Sequence, residues 1–275
     1  MTNKSMFFSD NIKIYLLIVS LSVVMLSLLS ANPGYFSHDE LQRYDHVIRY
    51  GFVDYFDSYV RLYQSDTFGT PVRPFSFFIQ GLLSLFMENY PVIVHLFAVL
   101  IHATVACFLF TLALQFGAST SFSLTMSLTF VINPLAMFAI GWSAALMDQW
   151  YVLFGLLTLM YADRYVRAEQ RTYHLFLVLL FSTLAMLSKE TALVLPGLMI
   201  VIWFAKPDLL KTKRYWLALA VWVTPVFLFM LYRLPALLNS FGNPTVSPYA
   251  ASLTNIPDNL LVYLAYPFIY ILTEA

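Results

Sequence analysis

Charge, glycine and cysteine are all scarce in this chain. Only 11% of its 275 residues are Asp, Glu, Lys or Arg, against about a quarter in soluble domains, which argues against a water-solvated globular surface. Nine glycines exclude a collagenous repeat, and the wealth of bulky apolar residues excludes a disordered or low-complexity chain. The single cysteine, Cys107, lies in an apolar run, so no disulfide forms within the chain and thiol usage says nothing of the redox compartment. Net charge is missing too: 15 basic residues balance 15 acidic ones, leaving no overall field to attract nucleic acid or acidic lipid. There is no Ser-His-Asp arrangement, no phosphate-cradling glycine loop and no Cys-rich or His-Glu-x-x-His spacing. Hydrolase and nucleotide-dependent readings lose most of their support.

What is present is apolar: 60% hydrophobic residues, with 25 Phe, 18 Tyr and five Trp. At about 20 residues per crossing plus loops, this length holds roughly seven or eight spans. The expectation is an all-α polytopic integral membrane protein forming a single transmembrane module over residues 1–275, with interfacial helices in a long first outer loop. The first span lies at about 12–31 and reads as an uncleaved anchor, because its apolar run exceeds a signal core and ends without a small-residue cleavage site. An outer loop follows at 32–90, then a helical bundle at 91–233, then an outer loop and last span at 234–275. Apolar runs inside the bundle fall at 91–116, 121–140, 146–161, 173–187, 192–204 and 215–232, and the last one at 260–272.

Placing the amino terminus in the cytoplasm puts Arg164, Arg167, Arg171, Lys206, Lys211, Lys213 and Arg214 on the cytoplasmic side, as the positive-inside rule asks. The acidic first loop then faces outward, toward periplasm or cell exterior from a bacterial inner or plasma membrane, or toward a secretory lumen from the endoplasmic reticulum. Within that loop, Leu41, Tyr44, Val47, Ile48, Phe52, Tyr55 and Phe56 recur at helical spacing and predict an aromatic-rich helix along the membrane surface. The segment 71–87 opens with Pro-Val-Arg-Pro and reads as a second interfacial or partly embedded helix. The loop 235–257, rich in Pro, Asn and Ser, reads as an outer loop.

Ionisable groups at or inside membrane helices are costly unless paired or wetted, so each is a functional candidate. Asp39 and Glu40 follow the first span. His95 and His102 stand seven apart on one helix face, Asp148 opens a later span, and Lys189 and Glu190 separate two more. Each has a plainer reading: helix capping for Asp39 and Asp148, a wet loop for Lys189 and Glu190, backbone-bonded buried rings for the histidines, and an interface anchor for Arg73. In the topology above, all except the histidines fall at outer helix ends, and the histidines lie in the outer half or middle of theirs. Several segments thus aim polar groups at one level of the bilayer.

In this order the residues resemble the GT-C glycosyltransferases that use polyprenyl- or dolichyl-phosphate-linked sugars. They are closest to the membrane module of the transmembrane O-mannosyltransferases with tetratricopeptide repeats and their bacterial relatives. The matching pieces are Asp39-Glu40, Arg73-Pro74-Phe75, His95 and His102-Ala103, Asn133-Pro134 with Trp142 and Asp148, and Leu187-Ser188-Lys189-Glu190-Thr191. The resemblance runs over about residues 12–233, and where the family has His-Pro this chain has Asn133-Pro134. It implies a cell-envelope or lumenal enzyme that passes a sugar from an undecaprenyl- or dolichyl-phosphate donor to a glycolipid, polymer or protein hydroxyl, inverting the anomeric centre.

In that chemistry the leaving group is already good. What remains is to deprotonate the acceptor and to meet charge on the departing phosphate. Asp39 is the expected base, with Glu40 orienting it, sharing its proton or binding acceptor. Arg73, His95, His102 and Lys189 are candidates for the phosphate, with Asp148 and Glu190 completing the substrate-binding set. The sequence specifies no cofactor; some GT-C enzymes need a divalent metal, for which Asp39, Asp148 and a histidine are candidate ligands. Two other readings stand beside this one: a non-catalytic membrane partner, and a transporter or flippase of lipid-linked sugars.

Overall fold

A computed structural model describes residues 3–29, 36, 38–60, 71–133, 140–167, 172–204 and 207–242 of the chain. The described residues are helical, without strands. In order they form α1 (Asn3–Leu29), α2 (His38–Tyr55), α3 (Pro74–Met87), α4 (Pro91–Gln115), α5 (Thr120–Ile132), α6 (Leu146–Arg167), α7 (Thr172–Ser188), α8 (Leu195–Phe204) and α9 (Lys213–Gly242). A π-helical turn, Phe56–Val60, extends α2, and 3-10 turns at Ser143–Ala145, Glu190–Val194 and Pro207–Lys211 lead into α6, α8 and α9.

Local chemistry sets the ends. Pro74 and Pro91 occupy the first positions of α3 and α4, where a missing N–H is harmless. Ser119 caps α5 by accepting the Phe122 N–H. At the end of α4, Gly117 takes a φ of 86° while the Ala118 and Gly117 N–H groups donate to Ala113 and Leu114, a paired closure that the left-handed glycine permits. Gly51, at φ 85° and ψ 163°, breaks the helical path of α2 near its end.

Among the described residues, three helices are long and apolar enough to cross a membrane: Pro91–Gln115, Ser143–Arg167 and Lys213–Asn239. Five shorter apolar helices among the described residues, Asn11–Val24, Pro74–Met87, Thr120–Ile132, Thr172–Ser188 and Glu190–Ile200, accompany them. The expected run 121–140 is thus helical only to Ile132 in its first part, where Asn133 turns extended. The helices expected after the first span and at 71–87 are present as α2 and α3. The loop expected from residue 235 is helical as far as Gly242, because α9 continues through both Pro225 and Pro235. A proline removes one intrahelical bond, and in a sequence this apolar the neighbouring backbone groups still satisfy themselves best as helix. The last span at 260–272, most of 235–257, the segment 61–70, Pro134, Arg171 and Lys206 lie outside the described residues.

The chain clusters into two units. The second, Tyr63–Pro71 with Leu228–Ala275, is described only at Pro71 and along the end of α9, where Arg233 and Ala236 are buried. The first, Met1–Leu62 with Val72–Phe227, contains the rest. There α1 packs on α4 and α5 through Ile18, Ala106, Phe110 and Val131, and Tyr15 bonds Thr111 at 3.1 Å. The buried face of α4 carries Ala98, Ala103, Ala106 and Ala113, small residues that let backbones approach where lipid removes the hydrophobic drive between helices. Hydroxyls on these helices turn back on their own turns, as Thr104, Thr111 and Thr158 do on the carbonyls four residues earlier. An aromatic ladder, Phe75, Trp150, Phe154, Phe181 and Tyr161, fills the contact of α3, α6 and α7.

Contacts fix the helix directions. The ends of α4 and α6 meet where Gln115 donates to Asp163 at 2.6 Å and Arg167 pairs with the same carboxylate. The Lys189–Asp148 pair joins the start of α6 to the end of α7, so these two are antiparallel. All the candidate outer residues lie at the end opposite Asp163 and Arg167.

Candidate functional site

The segment before α3 is tied to the α7–α8 turn by one carboxylate. Glu190 accepts the Val72 N–H at 2.7 Å on Oε1 and the Arg73 Nε–H at 2.6 Å on Oε2. Arg73 and Glu190 are 24% and 25% exposed, so the pair is neither dry nor fully screened. Arg73 Nη1 reaches the Met147 sulfur, one residue before Asp148. Ser76, one residue beyond Phe75, donates to the Ser188 carbonyl at 2.8 Å, which holds α3 against the same turn. On the other side of that turn, Lys189 is ion-paired with Asp148 and lies 6.0 Å from the Tyr151 ring centroid. The break between α7 and α8 is therefore a tight, paired turn.

Glu40 is 4% exposed. Its Oε1 accepts the Ser143 hydroxyl at 2.9 Å and the Ala144 N–H at 3.0 Å, fixing the start of α2 to the turn that opens α6. The carbonyl of the same Ala144 accepts from Gln80 Nε2 at 3.0 Å. One residue thus joins α2, α3 and α6. Asp39, half-buried beside Glu40, lies in the first turn of α2, where its charge favours the helix dipole. Arg43, one turn later, stacks on Phe77 at 5.1 Å. Burial pulls its guanidinium below the ordinary range, and Tyr55, Asp39, Glu40 and Tyr59 partly offset that pull.

Tyr55 anchors this corner: it is fully buried and donates to the Phe77 carbonyl at 2.8 Å. Burial pushes its phenol far above the ordinary value, against the lowering effect of Arg43. Gly81 makes the fit possible, since a Cβ there would sit 2.4 Å from the Tyr55 ring. At the surface, Tyr44 donates to Glu88 at 2.8 Å, and that bond raises its phenol.

The histidines take other roles. His95 is buried, its ring stacked on Phe36 at 5.1 Å and 7°. His102 donates through Nε2 to the Val131 carbonyl at 3.3 Å and stacks on Phe130, joining α4 to the end of α5. That is the backbone-bonded arrangement, and it sits deeper than the ion pairs. Asn133 is described and Pro134 is not; Trp142 is the residue before the Ser143–Ala145 turn. Among the described residues, no three His, Cys, Asp or Glu side chains are grouped to hold a metal, so Asp39, Asp148 and a histidine do not assemble as ligands.

The structure therefore brings Arg73 to Glu190 and Asp148 to Lys189, pins Glu40 to the turn before α6, and sets His102 apart in the helix packing. Sequence reasoning missed Gln80, Ser143, Ala144 and Arg43. Only Arg43 left a signal, a cation four residues after Asp39 on the helix already expected there. Comparison with protein-family models, with curated proteins and with solved structures finds no match.

Proposed function

We propose that this chain is a membrane glycosyltransferase of the GT-C type that passes a sugar from a polyprenyl- or dolichyl-phosphate donor to an acceptor hydroxyl on the outer side of the membrane, with inversion. The observation that carries this reading is the gathering, at one end of the bundle, of Asp39 and Glu40 with the Arg73–Glu190 and Lys189–Asp148 pairs. In the proposal seven or eight spans cross the bilayer, the amino terminus is cytoplasmic and this end faces outward. Asp39, the more accessible of the adjacent carboxylates, takes the acceptor proton. Glu40, held by two donors, positions α2 and does not share that proton. Glu190 and Asp148 keep Arg73 and Lys189 extended at the rim until a substrate competes for them.

The test uses the purified full chain in lipid nanodiscs with a lipid-linked sugar donor and a hydroxyl acceptor. Asp39→Asn keeps the shape and removes the base, and transfer should fall by about 10²–10⁴-fold. Unchanged transfer would remove Asp39 from that role.

The ion pairs also favour a second reading. A non-catalytic module would keep its cations neutralised as Arg73 and Lys189 are here. Under it, a protein partner co-purifies with the chain and a polyprenyl-linked sugar does not. A flippase draws less support, since the polar groups collect at one end and not at the midplane.

A further inference from the structure

The donor in the proposed reaction carries a phosphate, yet both motif cations are already held by carboxylates. A third cation stands nearer Asp39. Arg43 lies one helical turn along α2, on the same face as Asp39. Its Nη1 is buried with no hydrogen-bond partner among the described residues, while its guanidinium rests on the Phe77 ring. One turn further along α3 from Phe77, Gln80 is 7% exposed; its Nε2 is bonded to Ala144, and its Oε1 is buried with no hydrogen-bond partner among the described residues. An unmatched donor thus rests on Phe77 one turn from Asp39, and an unmatched acceptor lies one turn along α3 on a side chain whose amide meets Ala144, the residue that also holds Glu40.

Buried polar groups are rarely left unmatched, and such exceptions mark where something else binds. A sugar phosphate offers the complement: phosphate oxygens accept and sugar hydroxyls donate. The guanidinium is planar with five donors, and Phe77 keeps its orientation without consuming them. It also answers a difficulty of the reaction. The base and the leaving group are both anions held near one anomeric carbon, and a cation between them lowers their repulsion.

We propose that Arg43 binds the phosphate of the lipid-linked donor, with Gln80 Oε1 accepting a hydrogen bond from a hydroxyl of its sugar. This rests on the glycosyltransferase reading. In the step, the acceptor O–H gives its proton to Asp39 as its oxygen bonds the anomeric carbon. The bond from that carbon to the phosphate oxygen breaks, and its electron pair leaves on the phosphate. Arg43 meets the charge that develops there.

The test measures binding to the full chain in zwitterionic nanodiscs by native mass spectrometry. The probes are polyprenyl phosphate, polyprenol of equal length, polyprenyl-phosphate sugar, inorganic phosphate and an anionic phospholipid. Arg43→Gln should weaken polyprenyl phosphate at least about tenfold and leave polyprenol unchanged, because a charge-assisted fork is lost. Arg43→Lys keeps the charge without the fork and should fall between, which keeps the question open to measurement if the glutamine variant loses its helical circular dichroism. Gln80→Leu should weaken the sugar-bearing probe and spare the bare phosphate. Wild-type polyprenyl phosphate binding in Arg43→Gln, or in Arg43→Lys where the glutamine variant does not fold, overturns the assignment. So does inorganic phosphate or anionic phospholipid binding as tightly as polyprenyl phosphate. Arg43-dependent binding without sugar transfer from any donor defeats the glycosyltransferase reading and leaves the phosphate site standing. Transfer with Arg43-independent binding does the reverse.

Discussion

Adjacent residues can have opposite fates, and Asp39 and Glu40 are the instance here. Successive helical residues differ by about 100° in direction, so when Asp39 meets the site, Glu40 points into the packing. Its carboxylate is buried and serves two donors from the turn before α6. Ser143→Ala removes one of them and should cost about 1.5–3 kcal/mol, the range for a hydrogen bond to a charged group, measured as thermal unfolding in detergent. Glu40→Ala strands both donors and should cost more, so a milder loss than Ser143→Ala would contradict the pinning role.

Tyr55 gives a pH-dependent counterpart. Its phenol is raised by burial in the folded chain, whereas in the unfolded chain it titrates near 10. The folded state therefore holds a proton that the unfolded state releases. The stability tied to Tyr55 is whole below that pH and is lost as pH rises beyond it. Alkaline unfolding should show this slope, and Tyr55→Phe should flatten it while costing about 0.5–1.5 kcal/mol for the bond to Phe77. A slope unchanged in the phenylalanine variant would assign it to other tyrosines.

At the scale of elements, two glycines mark close approaches of unequal rigidity. A Cβ on Gly81 would meet the buried Tyr55 ring at 2.4 Å, which has nowhere to move. A Cβ on Gly155 would meet the Leu195 Cδ1 at 2.8 Å, the end of a side chain that can change rotamer. Gly81→Ala should cost about 1–3 kcal/mol by overpacking, and Gly155→Ala less, read from paired melting curves. Equal losses would mean that the α2–α3 corner is looser than its packing implies. Helix existence was legible beforehand, because the spacing of Tyr44, Val47, Ile48 and Phe52 marked α2 and the apolar runs from 71 and from 91 marked α3 and α4. Helix ends were not, since Asn133 and Pro235 are the same kinds of residue whether a helix stops or continues. Asn133 stopped α5, while Pro235 lies inside α9.

For the molecule as a whole, the opposite ends of the bundle differ in chemistry. One holds Asp148, Lys189, Arg73 and Glu190; the other holds the Gln115–Asp163–Arg167 cluster. If the proposed topology holds, single cysteines placed at exposed Gln42 and Lys213 in a Cys107→Ser background will react with an impermeant thiol reagent from opposite sides of a sealed vesicle. Reaction from one side alone would overturn the topology and, with it, the outward placement of Asp39.

Sequence alone determined the solvent class of the surface and the helical content, because an apolar chain with few charges must satisfy its backbone internally. It also singled out Asp39, Glu40, Arg73, Asp148, Lys189 and Glu190, since charges are rare enough in such a chain for each to stand out. Tertiary structure alone decided their partners. That Glu190 takes Arg73, that Lys189 takes Asp148, and that Glu40 and Gln80 meet at Ala144 are contacts between segments far apart in the chain. No local pattern encodes them, because they depend on which helix ends the packing brings level.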